Sequence, residues 1–182
     1  MKYLVASDIH GSAYYAHKLV HAFATQNCDK MLLLGDILYH GPRNALPKDY
    51  DCHQVYETLN PFADDIICVR GNCDAEIDDM VLDFDTRKDY DTITEDNYQI
   101  VMSHGHIYNP EHLPPINEGD IFLFGHIHVP KMEEENGIYI INPGSISIPK
   151  ENSSHSYGIL ENKVFTFYDD EGNVLKQFDM NN

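Results

Sequence analysis

Lys2-Tyr3-Leu4-Val5-Ala6-Ser7-Asp8-Ile9-His10-Gly11 is an apolar run that reads as a buried strand and breaks at its C-terminal end into a polar loop. Downstream, Ala13, Ala16, Leu19, Val20 and Phe23 recur at helical spacing and predict a helix over residues 12–26 with one apolar face. Met31-Leu32-Leu33-Leu34 repeats the first event, since Gly35-Asp36 follows at once. A longer connection with Gly41, Pro42 and Pro47 leads to a second helix around Val55 and Leu59, closed by Pro61. Ile66-Ile67-Cys68-Val69 then reads as a third strand, and Arg70-Gly71-Asn72-Cys73-Asp74 as its polar end. Strand, helix, strand, helix, strand is the pattern of parallel strands with crossover helices, whose sites lie beyond the strands' C-terminal ends.

The second half reads differently. Turn residues at Glu95-Asp96-Asn97, Asn136-Gly137, Asn162-Lys163 and Glu171-Gly172 predict hairpins between short alternating strands. Two further apolar runs, Tyr98–Met102 and Ile121–Phe124, also end in polar residues: Ser103-His104-Gly105-His106 and Gly125-His126-Ile127-His128. No repeat, low-complexity tract or linker interrupts the chain. With 42% apolar residues it predicts a single domain over residues 1–182, large enough to bury its own core.

Thirty acidic residues against twelve Lys and Arg give a formal charge of −18, a field that repels polyanions, so extended DNA or RNA is not an expected partner. Cys28, Cys52, Cys68 and Cys73 form no CxxC pair and do not read as a disulfide framework, which points to a reducing compartment. The N-terminal apolar run is too short for a signal peptide, and no window approaches the ~18 apolar residues of a membrane span. A cytoplasmic location without a membrane partner is therefore expected.

Five strand ends thus deliver Asp-x-His, Gly-Asp, Gly-Asn, His-Gly-His and Gly-His-x-His, and these residue types all ligate divalent ions. Each motif alone has an ordinary explanation, because Asp caps helices and Gly-Asn makes turns. Together along one sheet edge they would aim many polar side chains into one crevice without partners. Divalent cations would satisfy them at once.

In order and spacing these motifs resemble the calcineurin-like metallophosphoesterases, with their D-x-H, G-D, G-N-H-D or E, H-G-H and G-H-x-H pattern, over residues 8–128. His40-Gly41-Pro42-Arg43-Asn44, Asn142-Pro143-Gly144-Ser145 and Ser147-Ile148-Pro149-Lys150 extend the likeness to about Leu160, toward a subgroup of small bacterial and archaeal phosphodiesterases. The resemblance implies an α/β fold, the metallophosphoesterase-type α/β/β/α sandwich of two mixed sheets flanked by helices. It implies two divalent metal ions, one on Asp8, His10 and His128 and the other on Asn72, His104 and His126, with Asp36 bridging. Mn is the family's frequent choice, while Ni, Zn, Fe and Mg also suit such ligands. The implied reaction is hydrolysis of a small phosphate ester, a hydroxide shared by the ions attacking phosphorus in line, with Asp36, Asn72, Cys73 and His104 nearest the chemistry. Phosphomonoesterase or cyclic-nucleotide phosphodiesterase activity is the alternative chemistry. A non-catalytic interaction protein resembling a retromer subunit is the alternative class, against which the seven competent ligands argue. The subgroup's habit also implies a homo-oligomer.

One position departs from the pattern. Many relatives have Gly-Asn-His-Asp where this chain has Gly71-Asn72-Cys73-Asp74, and the missing histidine is the usual general acid. A thiol is a weaker donor than an imidazolium, so Cys73 reads either as a small packed side chain or as a poor substitute, with His106 or water as other proton sources. Arg70, Arg43 and Lys150 are candidates for phosphate contact, an ion pair with a carboxylate being the commoner fate for Arg70. His17 and His21, at i,i+4, lack the Glu of His-Glu-x-x-His and are not expected to bind metal. The Asn142-Pro143-Gly144-Ser145 turn is expected to support the metal loops.

Overall fold

The computed structural model describes residues 1–181. The first half runs β1 (Lys2–Ala6), α1 (Ala13–Thr25), β2 (Lys30–Leu33), α2 (Cys52–Leu59) and β3 (Ile66–Cys68). Then follow β4 (Tyr90–Thr94), β5 (Gln99–Ser103), β6 (Ile121–Leu123), β7 (Pro130–Glu135), β8 (Ile138–Pro143), β9 (Ser156–Glu161), β10 (Val164–Asp169) and β11 (Val174–Asp179). Ser12 caps α1 by accepting the Tyr15 amide, and Asp51 caps α2 by accepting that of Gln54. The helix expected over 12–26 is thus present with its apolar face buried.

Two mixed sheets result. One has the order β11-β10-β9-β1-β2-β3, in which β1, β2 and β3 are parallel and β9 runs antiparallel to β1. The other has the order β4-β5-β6-β8-β7, with β5, β6 and β8 parallel. All four expected turns close antiparallel pairs.

Strand alternation assigns the layers. Leu4, Ala6, Met31, Leu33 and Cys68 face the helices, where they pack with Ala16, Leu19, Phe23, Val55 and Leu59. Their neighbours Tyr3, Val5, Leu32 and Leu34 face the second sheet and pack with Ile100, Met102, Ile121, Leu123 and Ile141. On the far side of the second sheet Val101, Phe122 and Ile140 are covered by Leu113 and Ile116, from the irregular segment between β5 and β6. The central strands β1, β2, β5, β6 and β8 therefore have both faces buried, which explains why their sequences are near-continuous apolar runs. No helix among the described residues is long and apolar enough to cross a membrane.

Candidate active site

β1, β2, β3, β5 and β6 end along one edge of the sandwich, and there the backbone turns sharply. Asp8 (φ 58°), His10 (49°), Asp36 (55°), His126 (69°) and His128 (61°) all lie in the left-handed region. A non-glycine residue held there costs roughly 1–3 kcal/mol, so the surrounding fold must enforce the conformation. Two glycines let these ends approach. A Cβ on Gly35 would lie 2.5 Å from the Gly71 amide nitrogen, and one on Gly71 would lie 2.1 Å from Asp36 Oδ1.

Asp8, His10, His104 and His128 are buried, as is Asp36. Asp8 Oδ1 lies 3.2 Å from His128 Nε2 and 3.5 Å from His10 Nε2, and the two imidazole nitrogens are 3.3 Å apart. Asp36 Oδ2 lies 3.6 Å from His10 Nε2 and 3.4 Å from His104 Nε2, so it stands between the two groups of histidines. His104 Nε2 is also 3.0 Å from Asn72 Oδ1. Asn72 is exposed and His126 half-buried, with its ring 5.1 Å from that of His104.

Backbone carbonyls fix the orientation of three rings. The Nδ1 atoms of His10, His104 and His128 lie 2.8, 2.6 and 2.5 Å from the carbonyl oxygens of Tyr39, Leu34 and Ile148. A carbonyl only accepts, so Nδ1 carries the proton and the neutral ring turns the Nε2 lone pair inward. Asp8 Oδ1, also inward, is buried and accepts no hydrogen bond. Lone pairs of three imidazoles and two carboxylates thus converge without a donor, an arrangement that fits a cation. Asp8, His10 and His128 form one cation-sized group; Asp8, Asp36 and His104 form another; His10, Asp36 and Cys73 form a third.

The electrostatics agree. Burial by itself would raise the Asp8 carboxyl, yet the His10 and His128 imidazoles hold it well below the usual carboxylate range, and Asp36 is lowered in the same way by His104. Burial works against charge on His104, but Asp36 and the charge of Asp8 push it up to about 9.

The sequence showed Asp74 only as the last position of the Gly-Asn-His-Asp pattern and gave it no role. Asp74 accepts the amides of Asp36 (2.8 Å), Ile37 (2.8 Å) and Gly71 (2.7 Å), which ties the β2 and β3 loops together. Ser145 and Ser147 both donate to the Asp8 carbonyl, at 2.9 and 2.7 Å, and Asn142 donates to that of Gly125 at 2.7 Å. The Asn142–Ser145 turn therefore does support the ligand loops. Arg70 is taken by Asp89 at 2.5 Å. His106 is half-buried, its Nδ1 without a partner, and burial followed by the charge of His104 depresses it to about 4. His17 bonds the Ala13 carbonyl and Thr58, and with His21 lines an open groove of about 1100 Å³ along α1 that contains none of the five strand ends.

Cys73 joins the cluster. Its amide donates to Asp36 Oδ1 (2.8 Å), its Sγ accepts from Asn72 Nδ2 (3.3 Å), and burial followed by the charge of Asp36 pushes the thiol up to about 12. It lines a cleft of about 310 Å³ together with His10, Asp36, Asn72, Arg43 and Lys150.

A sandwich of two mixed sheets whose strand ends gather carboxylates and imidazoles around shared cation positions defines a metal-dependent hydrolase. The family model described as the calcineurin-like phosphoesterase superfamily domain matches residues 1–163, and the chain belongs to that superfamily. It is 42% identical over 166 residues to Phosphodiesterase YfcE of Escherichia coli K12, covering 91% of this chain and 90% of that protein. It is 34% identical over 135 residues to the probable metallophosphoesterase YsnB of Bacillus subtilis, covering 66% of this chain and 73% of the other. The solved structure of the E. coli phosphoesterase YfcE superposes with a TM-score of 0.96 at 40% identity, over 100% of both chains. Vps29 of Entamoeba histolytica, solved with zinc, shares the fold with a TM-score of 0.66 at 20% identity, over 100% of both chains. The chain is a metal-dependent phosphoesterase.

Proposed function

We propose that the chain hydrolyses phosphodiesters with two divalent ions, one held by Asp8, His10 and His128, the other by Asn72, His104 and His126, with Asp36 shared. The observation that carries this reading is the buried, donor-free convergence of Asp8 Oδ1 with the Nε2 atoms of His10 and His128, beside an Asp36 that stands between His10 and His104. The ions would supply Lewis acidity toward the phosphoryl oxygens and acidify water at the site. The chain supplies the rest: carbonyl-anchored imidazoles set the ligand geometry, Asp74 holds two ligand loops at a fixed separation, and Cys73 and Asn72 line the cleft beside the ligands. Preference for diesters over monoesters is supported by the name of the E. coli relative, and the mixed oxygen and nitrogen donor set suits Mn.

The same reading places residues 1–182 in one catalytic domain and the protein in the cytoplasm, where its four free cysteines would stay reduced. It includes a homo-oligomer, which sedimentation would test. The deciding experiment strips the protein of metal, reloads it with Mn²⁺, Ni²⁺, Mg²⁺ or Zn²⁺, and measures turnover of a panel of phosphate mono- and diesters. Diester hydrolysis that appears only on reloading, fastest with Mn²⁺, is the expected result. Hydrolysis of monoesters alone, or of nothing, would refute the proposal.

A further inference from the structure

The chain has twelve Lys and Arg residues among thirty acidic ones. Seven of the twelve pair with carboxylates, and three more lie over aromatic rings. The remaining two are Arg43 and Lys150. Among the described residues neither side chain has an ion pair, a hydrogen bond or a ring contact, although the protein carries eighteen more negative charges than positive ones. Both line the 310 Å³ cleft that opens on the cluster of His10, Asp36 and His128.

Their backbones are not loose. Tyr39, whose carbonyl anchors His10, begins the loop that carries Arg43, and Asn44 Nδ2 closes that loop on the His40 carbonyl at 2.8 Å. Ile148, whose carbonyl anchors His128, lies two residues before Lys150, and the Lys150 amide donates to the His128 carbonyl at 3.1 Å. Each unpaired cation thus sits on a segment that also orients one imidazole of the cluster, which fixes its position relative to the reacting centre.

A simple phosphodiester carries one negative charge at neutral pH, and two divalent ions already exceed it. Two additional uncompensated cations in the same cleft suit a further anion. We infer that the cleft binds a second phosphate group beyond the one being hydrolysed, and that the preferred substrates are small phosphodiesters bearing such a phosphate. This deepens the phosphodiesterase reading above and rests on it. A guanidinium fork and an ammonium are the pair of side chains that suit a phosphate dianion. The acidic exterior repels a long polyanion over its whole length, whereas a small substrate inside the cleft feels mainly the nearby cations.

The test compares two esters with the same scissile bond and leaving group on Mn²⁺-loaded protein: thymidine 5′-(4-nitrophenyl phosphate) with and without a 3′-phosphate. The expected result is a kcat/KM about tenfold higher for the 3′-phosphorylated ester at low ionic strength, carried by KM and shrinking with added salt, at about threefold per partly screened cation. Arg43→Gln and Lys150→Gln each reduce that ratio, the double variant brings it to one, and Arg43→Lys retains part of it. Equal kcat/KM for the two esters, an unchanged ratio in the double variant, or faster cleavage of a long single strand than of either ester would overturn the inference. Diester turnover without the preference would leave the phosphodiesterase reading standing. If neither ester turned over, that reading would fall, and calorimetry with thymidine 3′,5′-bisphosphate would still read the second-phosphate site. Binding that weakens at least fivefold in the double variant supports it, and unchanged binding sinks it.

Discussion

Around Asp8 nearly every polar atom has a fixed partner. Its Oδ2 accepts from Ser7 Oγ (2.6 Å) and the His126 amide (3.1 Å), its carbonyl accepts from two serines, and the rings of His10 and His128 are each anchored at Nδ1. Around Asn72 and His126 the protein is looser. His104 is anchored and buried, but Asn72 is exposed, His126 is half-buried, and the His126 ring makes no hydrogen bond among the described residues. Burial and then the charge of His104 depress the His126 imidazole, whereas His10 is raised against its burial by Asp8. One half of the site is preorganised, and the other is not. Preorganised ligands lose less conformational freedom on binding, so the Asp8 half should hold its ion more tightly.

Metal removal breaks the comparison most severely. Graded chelation should extract the ion at the Asn72 half first, so mass spectrometry should detect a one-metal species before the metal-free protein. Activity should fall by about 10³-fold or more on full removal, since each ion stabilises several kcal/mol of developing charge. Full hydrolysis by metal-free protein would defeat the mechanism. Simultaneous loss of both ions would defeat the asymmetry.

Asp36→Asn should come next. Its Oδ2 stands between His10 and His104, so the change weakens both halves, whereas His10→Ala disturbs the Asp8 half alone. Metal stoichiometry and turnover should drop further in Asp36→Asn. Equal stoichiometry and rate in the two variants would remove Asp36 from its bridging place.

Asp74→Asn sharpens the comparison from outside the cluster. Its carboxylate accepts three amides from the β2 and β3 loops, and an amide side chain presents one oxygen acceptor in place of two. Metal affinity should fall about 10–100-fold. The loss should concentrate on the half that includes Asn72, which isothermal titration can resolve as a change in the weaker of two sites. A loss confined to the tighter site would contradict it.

How much of this was legible in the sequence follows from what sequence records. Apolar runs that break into Asp8-x-His10, Gly35-Asp36 and Gly71-Asn72 disclosed three parallel strands and their site edge, because a strand buried on both faces has little other sequence option. Asn136-Gly137 and its counterparts disclosed the hairpins through turn chemistry. The return of β9 to pair antiparallel with β1 was not legible, because a long-range pairing leaves no local pattern. Neither was the left-handed backbone at Asp8, His10, Asp36, His126 and His128, which tertiary packing imposes against local preference. Asp74 matched the last position of the Gly-Asn-His-Asp pattern, but its role was not legible, because only the approach of the Gly35 and Gly71 loops gives it three amides to hold.

The smallest expected effect concerns Cys73, on the looser side of the site. The residue lines the cleft, its Sγ accepts from the Asn72 side-chain amide, and it holds the position of the general-acid histidine in the family pattern. A thiol gives up its proton less readily than an imidazolium of reference pKa ~6.5, and general acid catalysis is worth about 10²–10⁴-fold. The wild-type enzyme should therefore handle aryl diesters, whose leaving groups depart without protonation, much better than alkyl diesters. Cys73→His should raise turnover of the poor leaving groups by about tenfold or less, since a histidine placed by one substitution recovers only part of an evolved geometry. Turnover of aryl esters should hardly change. The measurement is a leaving-group series on wild type and Cys73→His at equal metal occupancy, with a shallower dependence on leaving-group pKa expected for the variant. Cys73 Sγ also lies within cation-binding reach of His10 and Asp36, so Cys73→Ala separates the two roles. A thiol that merely fills space loses little on replacement by alanine, whereas a loss of metal as severe as that in His10→Ala would make Cys73 a ligand and set aside the proton-donor account.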